Sequence, residues 1–82
     1  MSVSDKIKAG LKLNGKQIQS LAEYLNISKQ SMTNKLYRDS FSAEDLIKIA
    51  DFLNGSLTLS TGGQNIIFGM DDIREDTDTE RR

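Results

Sequence analysis

The sequence predicts a mainly α-helical fold in which four short helices are followed by a C-terminal β-hairpin. Apolar residues recur at helical spacing in four successive segments of residues 1–56. Residues that favour helix stops separate these segments. Beyond Leu57 the apolar pattern changes to alternation on both sides of Gly62-Gly63, which is typical of a two-residue hairpin turn. A chain of 82 residues is long enough for one small domain.

The first two helices are predicted from their apolar stripes and from the residues at their ends. The first stripe consists of Val3, Ile7 and Leu11. The second consists of Ile18, Leu21, Ala22 and Leu25. Ser2 and Asp5 suit a capping box at the start of the first helix, and Asn14-Gly15 is a stop signal at its end.

A tight corner is predicted between the second and third helices. Asn26 follows the second stripe, and Asn tolerates the left-handed backbone conformation that a sharp turn requires. Ser28 can cap a third helix whose inward residues are Met32 and Leu36, with Ile27 filling the corner. Two short helices joined by a tight turn are therefore expected.

The fourth helix repeats the same start and stop signals. Ser42 and Asp45 suit a second capping box, and Asn54-Gly55 ends the helix. Its predicted inward residues are Leu46, Ile49, Ala50 and Leu53.

The hairpin has a self-consistent register when Thr61 pairs with Gln64. This pairing gives one face that is wholly apolar, formed by Leu57, Leu59, Ile66 and Phe68. The opposite face carries Thr58, Ser60 and Asn65. An isolated two-stranded ribbon is marginal in water, so this one either packs on its own helices or pairs with a second copy. We favour the second alternative, in which these four apolar residues form a homodimer interface.

Composition excludes several classes of function. Without Cys or His, the chain has no disulfide, no Cys/His zinc site and no catalytic triad. No apolar run approaches the roughly 20 residues of a membrane span, and the first ten residues lack the apolar segment of a signal peptide. We therefore expect a cytoplasmic protein that is not an enzyme and needs no cofactor or metal.

Charge is divided unevenly along the chain. Residues 1–40 carry seven basic and three acidic side chains, a formal charge of +4. Residues 41–69 carry one basic and three acidic side chains. Residues 71–82 are charged and poor in apolar residues, which predicts a disordered tail. A polyanion is therefore expected to meet the first half of the chain, although we interpret Lys6, Lys8 and Lys12 as one solvated helix face.

The helical segments resemble the Cro/cI-type (XRE-type) helix-turn-helix family. The resemblance is carried by the stretches LAEYLNIS, KQSMTNKL and FSAEDLIKIADFLNGSL, and it covers residues 3–57. It implies a lambda-repressor-like fold in which residues 1–56 bind double-stranded DNA and residues 57–70 form a dimerising hairpin. In this arrangement the second of two helices joined by a tight turn lies in the DNA major groove.

The resemblance also implies a role for individual residues. Residues 17–25 correspond to the positioning helix and residues 28–37 to the recognition helix. The side chains that would read bases are Lys29, Gln30, Thr33 and Asn34, whose hydrogen-bonding groups suit the edges of adenine, guanine and thymine. Those that would contact phosphates are Gln17, Gln19, Ser28, Lys35, Arg38 and Ser40. Tyr37 and Phe41 are interpreted as core or loop packing.

Two departures from the family pattern concern the same region. Asn26 stands where Gly is usual, which its tolerance of left-handed backbone explains. The Thr-Gln pair that commonly opens the positioning helix is replaced by Gln17-Ile18, so Gln17 or Gln19 would have to supply the phosphate contact.

The resemblance implies a sequence-specific regulator of phage or mobile-element type, acting as a repressor on a near-palindromic operator. An alternative from another class is an antitoxin or other interaction module that binds a protein partner through the hairpin or tail. A third alternative is a nucleic-acid enzyme with Mg²⁺ bound by Asp71, Asp72, Glu75 and Asp76. No rigid predicted element preorganises those carboxylates, which disfavours it.

Overall fold

The computed structural model describes residues 2–73, which form four α-helices, one antiparallel hairpin and a short 3₁₀ turn. The helices are α1 (Val3–Leu13), α2 (Ile18–Leu25), α3 (Lys29–Arg38) and α4 (Ala43–Phe52). The strands are β1 (Leu57–Thr61) and β2 (Gln64–Phe68), and the 3₁₀ turn covers Met70–Asp72. The predicted fold class is confirmed.

Both predicted capping boxes are present. Ser2 Oγ accepts a hydrogen bond from the Asp5 N–H at 3.0 Å, and the Asp5 carboxylate accepts one from the Ser2 N–H at 3.3 Å. Ser42 and Asp45 make the same reciprocal pair at 3.0 Å in both directions. These contacts satisfy N–H groups that have no partner within the first helical turn.

The tight corner between α2 and α3 forms as the sequence predicts. Asn26 has φ of 60° and ψ of 43°, the left-handed conformation, and the Ile27 N–H donates to the Ala22 carbonyl at 3.1 Å. Ser28 then caps α3, its Oγ accepting from the Ser31 N–H at 3.0 Å. The chain therefore turns sharply over very few residues, which places α3 against α2.

The core lies between the helices and is centred on Leu21 and Met32, whose side chains are fully buried. The buried cluster comprises Ile7, Leu11, Leu21, Ala22, Met32 and Ile49. Leu25, Ile27, Leu36, Phe41, Leu46, Phe52 and Leu53 are partly buried against it. Val3 and Ile18 are more exposed than their stripes predict, at 40% and 37%. Each is the first residue of its helix, where the apolar stripe reaches the edge of the core.

Helix α4 is covered on more than one side. Ile47 is buried, although the predicted stripe did not include it, and it lies outside the core cluster. Besides packing on α2, α4 contacts β1 and the 3₁₀ turn. The hairpin and the 3₁₀ turn therefore pack on α4. An apolar stripe that describes one face of the helix could not predict this contact.

A polar contact also joins α2 to α4. Tyr24 Oη donates to the Asp51 carboxylate at 2.6 Å, and its ring centroid lies 5.1 Å from that of Phe52. The Lys16 ammonium lies 4.8 Å from the Phe52 centroid. The hydrogen bond to Asp51 raises the pKa of Tyr24, with smaller effects of burial and of the Asp51 charge in the same direction. These contacts fix the orientation of α2 against α4.

The hairpin has the predicted register at all five pairs. Leu57 pairs with Phe68, Leu59 with Ile66 and Thr61 with Gln64. Gly62 and Gly63 both have positive φ, 57° and 75°, as a type I′ turn requires. On the opposite face, Ser60 Oγ donates to Asn65 Oδ1 at 2.7 Å.

The first residues of the predicted disordered tail, which was assigned to residues 71–82, are part of an ordered turn. Asp71 and Asp72 lie in the 3₁₀ turn, where the Asp72 carboxylate accepts from the Gly69 N–H at 2.8 Å. Residues 74–82 of the predicted tail lie outside the described residues. Within residues 2–73 no helix is long and apolar enough to cross a membrane.

Candidate nucleic-acid interface

Helix α3 has an exposed polar face, and its buried Met32 holds it in the core. Met32 is fully buried against α1 and α2, which fixes the rotation of α3 about its axis. The predicted base-reading residues are all exposed on this helix, and they are Lys29, Gln30, Thr33 and Asn34. Gln30 Nε2 donates to Asn34 Oδ1 at 3.3 Å, so the two amides lie side by side. The structure therefore brings the four side chains together on one exposed helix face.

The charge of α3 favours a negatively charged partner. The helix contains three basic residues, Lys29, Lys35 and Arg38, and no acidic residue. Two of the basic residues lie in its last turn, where they also complement the helix dipole. Exposed amides beside cationic groups can donate to and accept from base edges while tolerating nearby phosphates.

The predicted phosphate contacts surround this face but have different local roles. Gln17 precedes the first residue of α2 and makes no side-chain capping hydrogen bond to it. Ser28 is the cap of α3. Gln19, Arg38 and Ser40 are exposed, and the Ser40 N–H donates to the Lys35 carbonyl at 3.0 Å where α3 ends. Contact between these residues and DNA stays a prediction.

Lys35 forms an ion pair that the sequence analysis did not anticipate. Its ammonium lies 3.0 Å from the Asp45 carboxylate, with both side chains largely covered. Burial opposes ionisation of Asp45, but the hydrogen bond from the Ser42 N–H and the Lys35 ammonium outweigh it, so the pKa of Asp45 is lowered. The pair ties α3 to the first turn of α4, while phosphate contact by Lys35 stays a prediction.

A second polar contact fixes the C-terminal end of α3 to the start of α1. Asp39 has left-handed backbone, with φ of 57°, and its carboxylate accepts from the Ser4 N–H at 2.6 Å and from Ser4 Oγ at 2.8 Å. The buried Ser4 hydroxyl also lies 2.7 Å from the Leu36 carbonyl. The backbone hydrogen bond from Ser4, then the one from its hydroxyl, lowers the pKa of Asp39. The carboxylate also complements the positive end of the α1 dipole.

Tyr37 corrects one interpretation from the sequence. It was expected to pack in the core or a loop, but its side chain is 89% exposed on the last turn of α3. Phe41, given the same interpretation, is partly buried against the core as expected. Tyr37 follows Thr33 by four residues and so shares its helix face, whereas the inward residues are Met32 and Leu36. This helical spacing was present in the sequence and would have identified Tyr37 as surface.

A shallow cleft extends the exposed face of α3 toward α1. It is about 440 Å³ in volume, and its polar rim consists of Lys8, Gln19, Lys29, Thr33 and Tyr37. Lys8 was interpreted as part of a solvated face, but the structure brings it beside the recognition helix. No pattern within α1 could reveal this, because it depends on how α1 packs on α3.

The apolar face of the hairpin remains largely uncovered. Leu59 is 51% exposed, Ile66 49% and Phe68 37%, while Leu57 is half-buried beside α4. The four predicted interface residues thus lie on one ribbon face with apolar area still in contact with solvent. A contiguous apolar surface of this kind marks a binding surface more often than a solvated one.

Among residues 2–73 no group of three or more His, Cys, Asp or Glu side chains could hold a metal ion. Of the four carboxylates considered for Mg²⁺, Asp71 and Asp72 lie in the 3₁₀ turn, while Glu75 and Asp76 lie outside the described residues.

Comparison with protein-family models assigns the chain to a family. A family model described as the bacteriophage CI repressor helix-turn-helix domain matches residues 7–68, which span α1 to β2. No curated protein sequence and no solved structure matches the chain.

Proposed function

The chain belongs to the bacteriophage CI repressor helix-turn-helix domain family, and from this premise we propose that it represses transcription as a homodimer on a near-palindromic operator. Family membership makes it a DNA-binding regulator domain. The finer assignments concern the operator, the dimer and the direction of regulation.

The observation that carries the proposal is the exposed face of α3. Its amide, hydroxyl and ammonium groups match the hydrogen-bonding pattern of base edges in the major groove. Met32 and the corner at Asn26 hold this face in a fixed orientation. A rigid helix that presents uncharged hydrogen-bonding groups can discriminate between bases, whereas a merely cationic surface would bind any sequence.

A dimer is supported by the uncovered hairpin. Leu59 and Ile66 lie opposite each other on the apolar face, and each keeps about half of its surface exposed. Pairing of two such ribbons about a two-fold axis buries this face and removes a strand edge. Two recognition helices would then meet half-sites about 34 Å apart, which is the reason for expecting a near-palindromic operator.

Repression follows from occupancy. The charge of the chain favours contact with DNA through its first half. Bound across a promoter, such a dimer blocks polymerase by exclusion. Base contacts by Lys29, Gln30, Thr33 and Asn34 provide the sequence dependence in this scheme.

The hairpin also favours a second candidate function. An exposed apolar ribbon can take a strand from a different protein by edge pairing, as an antitoxin or another interaction module would. In that case a second polypeptide co-purifies with the chain, and the isolated chain stays monomeric.

The test is selection of DNA from a random duplex pool at about 100 mM salt, where phosphate contacts alone give weak, sequence-independent binding. The chain is compared with the Gln30→Ala, Asn34→Ala variant, and Asn65→Ala, on the hairpin face that the dimer leaves exposed, is the matched control. Enrichment of a two-fold symmetric motif that the double variant loses and Asn65→Ala retains would support the proposal. Absence of enrichment by the folded chain would refute sequence-specific repression.

A further inference from the structure

The rim of the cleft between α1 and α3 continues the recognition face in one direction. Lys29, Thr33 and Tyr37 follow each other at four-residue spacing on α3, and all three line this cleft. Two of them are predicted base-reading residues. Tyr37 therefore lies on the surface that faces DNA in the proposed function, at the far end of the same helix face.

Tyr37 lies beyond the part of α3 that is predicted to read bases. It follows Lys29 by eight positions, which at a rise of about 1.5 Å per residue is about 12 Å along the helix axis. In helix-turn-helix docking the N-terminal residues of the recognition helix contact base edges. The C-terminal end of the same face, where Tyr37 lies, is then closer to the phosphate backbone than to the bases.

Lys8 adds positive charge to the rim of the cleft that Tyr37 also lines. It comes from α1 and shares the cleft with Tyr37. Lys8 also lines a second cleft, together with Lys12, Lys16 and Gln17, next to the start of α2. One side of α1 is thus basic from the end of α3 to the start of the positioning helix, with no acidic side chain on either cleft.

We propose that Tyr37 and Lys8 form a phosphate clamp, in which the Tyr37 hydroxyl donates to a phosphate oxygen at the edge of the major groove and the Lys8 ammonium neutralises the same backbone strand. The clamp rests on the proposed DNA binding and extends its footprint from the helix-turn-helix to α1. The exposure of Tyr37 is then functional, because an aromatic ring at this position reaches outward with few rotamers and ends in a hydrogen-bond donor.

The experiment measures binding over a range of salt concentrations on two probes, the duplex enriched in the selection and a duplex of mixed sequence. Lys8→Gln is compared with Lys6→Gln, which removes the same charge from α1 but on the side facing a different cleft, with Val3 and Ile7. Tyr37→Phe removes the hydroxyl and retains the ring. Urea unfolding of each variant checks that it is folded.

Lys8→Gln is expected to reduce the slope of log K against log salt by about 0.9, the value for one phosphate contact, while Lys6→Gln leaves the slope unchanged. Tyr37→Phe is expected to weaken binding about tenfold on both probes without changing the slope, because a neutral donor to a charged acceptor is lost. The selected motif stays the same in both variants.

Equal slopes for the two lysine variants, or unchanged binding by Tyr37→Phe, would overturn the clamp while the wild-type motif still supports the proposed function. A changed motif in Tyr37→Phe would also overturn it, because Tyr37 would then read bases. If the wild-type chain selects no motif at all, the proposed function itself is refuted.

Discussion

Replacement of Ile66 by threonine tests whether the hairpin joins two copies of the chain. Ile66 lies on the apolar face opposite Leu59, whereas its neighbour Ile67 lies on the other face opposite Thr58. Threonine retains the β-branched shape that strands favour, so the hairpin itself is preserved. Ile67→Thr is the matched control, since it makes the same chemical change one residue away on the face that the dimer leaves exposed.

The expected magnitude follows from the exposure of Ile66. Its side chain is 49% exposed, and complete burial of an isoleucine contributes about 1.5–3 kcal/mol. Covering the remaining half contributes about 0.7–1.5 kcal/mol per copy, and two copies double this to about 1.5–3 kcal/mol. The threonine hydroxyl would also lose its water in the interface. At 1.4 kcal/mol per tenfold, Ile66→Thr weakens the dimer by about 10- to 100-fold.

Sedimentation equilibrium over a range of micromolar concentrations measures the dimer dissociation constant of the wild-type chain and both variants. We expect Ile67→Thr to behave as the wild type, although Ile67 is the more exposed residue at 63%. Equal dissociation constants for the two variants would show that the apolar face is not the interface. A wild-type chain that stays monomeric throughout would refute the dimer itself.

Three further predictions concern the helical domain. Met32→Ala is expected to lower the free energy of unfolding by about 2–5 kcal/mol in urea titration, because the side chain is fully buried and its removal leaves a cavity; a loss below 1 kcal/mol would contradict its role as the anchor of α3. Asn26→Ala should lower it by about 1 kcal/mol in the same assay, since alanine lacks the tolerance of Asn for φ of 60°, whereas Asn26→Gly should not be destabilising. The hydrogen bonds from Ser4 lower the pKa of Asp39, so the stability they provide is complete above pH about 4 and is lost as pH falls through the lowered pKa. Asp39→Asn retains the left-handed backbone and should flatten this acid dependence in circular dichroism titration; an unchanged acid midpoint would contradict the assignment.

The helix boundaries were predictable because local chemistry determines them. Ser2, Ser28 and Ser42 cap helices through contacts within three residues, and the corner at Asn26 depends on its own backbone preference. The hairpin register depended on a Gly-Gly turn and on alternation, both of which are also local. None of these features requires knowledge of how distant segments pack.

Most of the unpredicted features depend on contacts between different secondary-structure elements. Lys35 pairs with Asp45 across two helices, and Asp39 with Ser4 across most of the helical domain. Ile47 is buried outside the core cluster, on a helix that β1 and the 3₁₀ turn also contact. Tyr37 is different, since its outward direction follows from helical spacing and was missed only because its ring suggested packing.

The sequence by itself therefore determined the number and order of the described helices, the tight corner and the hairpin register, since each is set by residues within a few positions of each other. It also placed amides and cations on the face of one helix. Only the tertiary structure decided which charged groups surround that face. It brought Lys8 and Tyr37 to the same cleft and paired Lys35 with Asp45. The physical reason is that packing angles between helices, and not the periodicity within one, determine which side chains meet.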